Sequence, residues 1–141
     1  MDTFSKSKRS EIMSKVSGKD TKPEILVRKY LFSMGFRYRK NVNYLPGKPD
    51  IVLPKYKTII FIHGCFWHGH KNCEAAKLPV SNADYWTMKV TSNIERDSKN
   101  KKLLKKLGWN VIIIWECELK TKNRNKRLGM LVNQLHITLI T

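Results

Sequence analysis

The stretch Pro49-Asp50-Ile51-Val52-Leu53-Pro54-Lys55-Tyr56-Lys57-Thr58-Ile59-Ile60-Phe61-Ile62-His63 decides the fold. Residues 50–53 read as a short strand. Pro54 ends it in a turn, because its ring fixes φ and removes a donor N–H. Residues 58–62 then form a continuous apolar run rather than an alternating one. A strand of that kind is covered on both faces, so it is the central strand of its sheet.

Working outward on the N-terminal side, Leu45-Pro46-Gly47-Lys48-Pro49 is a turn by its Pro and Gly chemistry. Residues 36–43 look extended. Thr21-Lys22-Pro23-Glu24 fits a capping box with proline in the first turn. Leu26, Val27, Tyr30, Leu31 and Met34 follow at helical spacing until Gly35. On the C-terminal side, residues 64–79 are irregular. Ser81 is the expected cap of a long helix to Lys106, with Asp84 at its third position and Gly108 as its stop. Residues 109–115 read as another buried strand. Residues 122–136 read as an amphipathic helix with Leu128, Leu131, Val132 and Leu135 on one side. The order helix, three strands, helix, strand, helix predicts an α/β fold, a small mixed sheet flanked by helices.

The chain has 141 residues, the size of one domain. We divide it into a basic N-terminal arm over residues 1–20 and a single domain over residues 21–141. Its 28 Lys and Arg against 11 Asp and Glu give a formal charge of +17. Folding does not need this excess, whose self-repulsion opposes compaction. It points to a polyanionic partner, nucleic acid ahead of an anionic membrane. No apolar run is long enough to span a bilayer, and the first twenty residues lack the apolar centre of a signal peptide. Three cysteines make an odd number. In a reducing compartment they read as thiolate ligands or inert core thiols.

Two of those cysteines sit in His63-Gly64-Cys65-Phe66-Trp67-His68-Gly69-His70-Lys71-Asn72-Cys73. Cys65, His70 and Cys73, with the distant Cys117, make a Cys3His set. Zn2+ favours tetrahedral thiolate and imidazole ligands, and a closed set of four is structural. Core cysteines beside a solvent histidine are the competing reading. His63 and His68 remain outside that set, and one of them can serve as a general base because imidazole titrates near neutrality. Asp50 opens a strand, where a carboxylate can hold Mg2+. Asp50 with His68 would then supply the Lewis acid and the activated water that phosphodiester cleavage needs. Glu24 is either a catalytic carboxylate or only a capping residue.

Together these residues resemble the very short patch repair endonucleases, bacterial enzymes that nick DNA at T:G mismatches. The resemblance runs from Arg9 to Leu119. It rests on Arg9-Ser10 with Met13, Asp20-Thr21 with Glu24, Leu45-Pro46-Gly47-Lys48-Pro49-Asp50, His63-Gly64-Cys65-Phe66-Trp67-His68, Tyr85-Trp86, Lys89, Asn93 with Arg96-Asp97, Gly108-Trp109 and Ile114-Trp115-Glu116-Cys117. It implies a restriction endonuclease-like fold and a Mg2+ ion on Asp50 and the backbone carbonyl of Ile62. It makes His68 the general base, His63 and Glu24 accessory catalytic groups, and Cys65, His70, Cys73 and Cys117 the ligands of a structural Zn2+.

The resemblance further implies that Phe66, Trp67 and Trp86 wedge into the duplex beside the mismatch, with Met13 entering from the other groove. Apolar wedges unstack a base step most cheaply where pairing is already defective. Core packing is the plainer account of such aromatics. Lys89 and Asn93 match residues that hydrogen-bond the mismatched pair, and their spacing from Trp86 puts all three on one helix side. A solvated helix face is the plainer account there. The chain departs from the family at Ile62, where its best-known members have Thr; a carbonyl ligand survives that change. The loop before Cys73 is one residue longer than in some members, and Val80-Ser81-Asn82 stands where Lys or Arg is expected.

The implied partner is mismatched double-stranded DNA, with other repair proteins as further partners. The expected setting is a monomer in the bacterial cytoplasm, at the nucleoid, without membrane contact. Two alternatives are a related nuclease without mismatch preference and a non-catalytic, zinc-stabilised DNA-binding module. Asp50, His63 and His68 argue against the second, since binding alone requires none of them.

Overall fold

A computed structural model describes residues 20–140. Met13 and all of the basic arm except Asp20 lie outside the described residues. The elements are α1 (Lys22–Ser33), β1 (Arg39–Lys40), β2 (Ile51–Leu53), β3 (Thr58–His63), α2 (Ala83–Lys106), β4 (Asn110–Trp115) and α3 (Arg124–Ile140). Short 3-10 turns at Pro54–Tyr56, Glu74–Ala76 and Glu116–Leu119 fill the connections. This is the expected order of helix, three strands, helix, strand, helix.

The four strands form one mixed sheet in the order β1-β2-β3-β4. β2 runs antiparallel to β3, with Ile51 opposite Ile60. β4 runs parallel to β3, with Ile60 opposite Ile112. Parallel neighbours need a crossover, and α2 supplies it. Successive side chains of β3 go to opposite faces. Ile60 joins Val27, Leu31, Leu131 and Leu135 from α1 and α3 in one apolar cluster. Ile59 and Phe61 join Val52 and Leu104 in the other, under α2. Both Ile59 and Ile60 are fully buried, as a central strand requires.

Several local expectations are corrected. Thr21 precedes α1 but makes no side-chain cap. Glu24 Oε2 instead accepts the N–H of Asp20 at 2.9 Å, because the Glu24 side chain is drawn inward beside Asp50 and Arg28. Ser81 does not cap α2. Asn82 precedes it with φ 57°, a left-handed conformation that asparagine tolerates. Its carbonyl accepts the Trp86 N–H at 3.1 Å. Of residues 36–43 only Arg39–Lys40 joins the sheet. β4 is an edge strand, so only Ile114 is fully covered and the rest is half-buried or exposed. Trp109 closes α2 instead of opening β4, its N–H reaching the Leu104 carbonyl at 3.1 Å. α3 starts two residues later than expected and continues past His136.

Candidate active site and metal cluster

A cleft of about 650 Å³ opens where β2 begins and β3 ends. Glu24, Asp50, Ile62, His63, His68 and Asp97 line it. Asp50 stands immediately before β2, and its Oδ2 accepts the Ile62 N–H at 2.7 Å. A strand residue directs its N–H and C=O to the same edge, so the Ile62 carbonyl shares that edge with Asp50. Burial pushes the Asp50 carboxyl up to about 7. The Ile62 N–H opposes this, the neighbouring Glu24 carboxylate adds to it, and His68 draws it back. Two carboxylates crowded in a buried place are uncompensated unless a proton or a cation joins them.

Glu24 is held from behind. Arg28 lies 3.8 Å from its Oε2 and 2.7 Å from Asp20 Oδ1. Asn41 and Lys40 also reach Asp20. The buried Arg28 therefore ties the entry of α1 to β1 beside the cleft.

His68 Nδ1 lies 2.6 Å from Asp97 Oδ2. A histidine whose Nδ1 is engaged by a carboxylate has its tautomer and orientation set, and Nε2 is the nitrogen left for chemistry. His63 stacks on His68 with ring centroids 3.9 Å apart and planes 5° from parallel. Burial, and then the His68 ring, hold His63 down to about 4, against the pull of Asp97. His63 is therefore a neutral imidazole at physiological pH, and among the described residues its buried Nδ1 has no hydrogen-bond partner.

The loop beyond β3 is tied down at both ends. The ligand atoms of Cys65, His70, Cys73 and Cys117 all lie within 4.8 Å of one another. The Cys117 N–H reaches Cys65 Sγ at 3.4 Å, and Cys117 Sγ lies 3.4 Å from His70 Nδ1. The His70 ring stacks on Trp115 at 4.1 Å. Burial pushes the Cys65 thiol up to about 12, and a bound cation would favour its thiolate form. This set can hold a metal ion, and it pins the loop to the turn after β4. Gly69 lies between the two imidazoles with φ +61°; a Cβ there would stand 2.5 Å from Ile94 Cδ1 and 2.9 Å from Val90 Cγ1. Only glycine lets the loop press so closely on α2.

Phe66, Trp67 and Trp86 form a half-exposed aromatic cluster beside the cleft. Their rings meet edge to face, with centroids 5.2, 5.4 and 5.8 Å apart. None of the three is a core residue. Lys89 is exposed on α2 one turn from Trp86. Asn93 is half-buried, and its Nδ2 donates to the Trp67 carbonyl at 2.9 Å. Asp97 and Arg28 are the site residues that sequence reasoning left without a role. Asp97 was within reach, since it lies one turn beyond Asn93 on the same side of α2. Arg28 sits at i+4 from Glu24, where an ordinary surface pair is the usual meaning.

A buried carboxylate pair, an imidazole oriented by a third carboxylate and a half-exposed aromatic cluster, on a chain of charge +17, define a nuclease. Residues 1–75 match the family described as DNA mismatch endonuclease Vsr. The type II nicking enzyme V.NmeAIP of Neisseria meningitidis is 56% identical over 95% of this chain and 96% of its own length. The type II nicking enzyme V.XorIIP of Xanthomonas oryzae is 44% identical over 84% of this chain and 86% of its own. The DNA mismatch endonuclease Vsr of Escherichia coli K12 is 37% identical over 87% of this chain and 78% of its own. The chain belongs to the Vsr family and is a DNA endonuclease.

Proposed function

We propose that this endonuclease nicks one strand of double-stranded DNA beside T:G mismatches, in very short patch repair, on a restriction endonuclease-like fold. One observation carries the reading. The His68–Asp97 pair and the Asp50–Glu24 carboxylates share a cleft bordered by a half-exposed aromatic cluster. The E. coli relative bears the name of a mismatch endonuclease.

The crowded carboxylates fit a hard divalent cation. Asp50 and the Ile62 carbonyl would hold Mg2+, which when bound supplies a Lewis acid for the charge that develops on the phosphate. His68 Nε2 takes a proton from the attacking water, and the water oxygen forms its bond to phosphorus as the bond to the leaving sugar oxygen breaks. Asp97 fixes the imidazole and stabilises its charged form. His63 packs His68 in place, and Glu24 orients groups on the far side of Asp50. The Cys65, His70, Cys73 and Cys117 set fits Zn2+ by ligand type and number, with no position left open for chemistry. Phe66, Trp67 and Trp86 would wedge into the mismatched step, Met13 from the arm would enter the opposite groove, and Lys89 and Asn93 would read the displaced base edges. Most other lysines bind backbone phosphate and add salt-dependent affinity without specificity. We place the enzyme in the bacterial cytoplasm at the nucleoid, as a monomer that works with other repair proteins. Among the described residues no helix is long and apolar enough to cross a membrane.

Cleavage of matched, T:G and abasic duplexes, with and without Mg2+, tests the reading. A Mg2+-dependent nick confined to the T:G duplex is expected. The second reading is a related nuclease without mismatch preference; the Neisseria and Xanthomonas relatives are named as type II nicking enzymes. Equal rates on matched and T:G duplexes would establish that reading instead.

A further inference from the structure

The loop over residues 64–70 carries two things at once: Phe66 and Trp67 of the aromatic cluster, and His68, which we assign as general base. Two side chains of α2 hold adjacent residues of this loop. Asn93 Nδ2 donates to the Trp67 carbonyl at 2.9 Å, and Asp97 Oδ2 lies 2.6 Å from His68 Nδ1. Residues four apart on a helix lie about 6 Å apart along its axis and on one face. The two anchors therefore form a ladder that seats consecutive loop residues on one rigid rod. The bond to Asp97 fixes the imidazole itself. The bond from Asn93 fixes the plane of the peptide that joins Trp67 to His68, because the carbonyl and the next Cα are coplanar.

We propose that Asn93 is a positioning residue for His68, coupling the seating of the aromatic wedge to the aim of the base. The proposal rests on the assignment of His68 as base. A displacement of Trp67 by a duplex pulls on the carbonyl that Asn93 holds, and through the shared peptide it turns His68. One N–H of the Asn93 amide is engaged on Trp67; among the described residues its second N–H and Oδ1 remain for a base edge. Reading the base pair and aiming the base thus meet in one side chain. Mismatch discrimination then shows in the nicking step and not only in binding, since small misplacement of a reacting group costs on the order of 100-fold in rate.

The test uses the full, zinc-loaded chain with Asn93→Asp, which keeps the shape and removes the donor, and Asn93→Ala as a second variant. In DNA-free protein, the imidazole 15N–1H long-range correlations of His68 are expected to shift in both variants while zinc content stays at the wild-type level. In single-turnover nicking of a T:G duplex at saturating enzyme, the rate constant is expected to fall roughly 10–100-fold, a loss separate from any weakening of Kd. The residual rate on a matched duplex is expected to fall as well, by a smaller factor, because there only the aim of His68 is lost. A residue that only reads bases would leave the His68 signals in place and lose activity on the T:G duplex alone, and that result overturns the proposal. Failure of the underlying assignment looks different: His68→Ala would then nick at the wild-type rate, whatever the Asn93 variants do.

Discussion

Asp50 Oδ2 lies 2.7 Å from the Ile62 amide nitrogen, so the backbone of β3 fixes the carboxylate that opens β2. This bond spans the antiparallel pair at the point where β2 has stopped pairing and β3 continues. It holds a charge in a buried place where the neighbouring Glu24 opposes ionisation. Asp50→Asn keeps the shape and removes the charge. Nicking is expected to fall by a factor of at least about 1,000, as loss of a Lewis-acid site implies. Stability gives an independent check. The Asp50 carboxyl stands at about 7 in the folded chain, against an ordinary value near 3.8. The folded state thus holds a proton that the unfolded state has released, and stability must fall as pH rises between those values. Denaturation of the purified protein in Mg2+-free buffer should show that decline, and Asp50→Asn should flatten it. An unchanged slope in the variant counts against the burial of this charge.

The Cys3His set makes a separate prediction. Its four members come from the loop after β3 and from the turn after β4. Cys117→Ser should lose bound zinc, measured by elemental analysis of the purified chain, and lower Tm by roughly 10 °C. The sheet should survive, because neither of its core clusters contains any of the four residues. Retention of one zinc per chain in the variant would exclude Cys117 as a ligand.

Much of this geometry could be read in advance, and the reasons differ by element. The apolar run in β3 announced a central strand because full burial removes alternation. The Cys3His cluster was legible because ligand type and spacing carry metal chemistry directly. The start of α2 was not. Asn82 in a left-handed turn competes with Ser81 for the same task, and local sequence does not rank them. β4 is as apolar as β3, yet it is an edge strand; burial depends on what lies beside it, which periodicity does not record. The bond from Asn93 to Trp67 joins residues 26 positions apart and uses a backbone acceptor that every residue has. Only the folded chain reveals it.

Within the proposed aromatic wedge, Trp86 stands apart from the cleft. Trp86 touches Phe66 and Trp67 but does not line the cleft that holds Asp50. Trp86→Ala should lower single-turnover nicking of a T:G duplex roughly 10–100-fold, as loss of one base-stacking aromatic implies. The residual rate on a matched duplex and the Tm should change little. Equal losses on both duplexes would assign Trp86 to the architecture of the site and not to the mismatch.

Arg28 is the cation that the carboxylate side of the cleft depends on. It is only 5% exposed, and it reaches both Asp20 and Glu24. Removing one partner of a buried pair strands the other charge, which costs about 3–5 kcal/mol. Asp20 is about half exposed and keeps Lys40 and Asn41 as neighbours, so the expected cost of Arg28→Met lies toward the lower end, about 3 kcal/mol. Chemical denaturation measures it. Glu24 would then stand beside Asp50 with no guanidinium behind it, and the two carboxylates would repel each other more strongly. A site left more negative draws a divalent cation more strongly, so nicking by Arg28→Met should need less Mg2+ to reach half its maximum, while affinity for DNA in the absence of Mg2+ stays near the wild-type value. Arg28→Lys restores the charge but not the planar fork. It should recover the Mg2+ requirement more fully than the stability. An unaltered Mg2+ requirement in Arg28→Met would confine Arg28 to holding the start of α1 against β1.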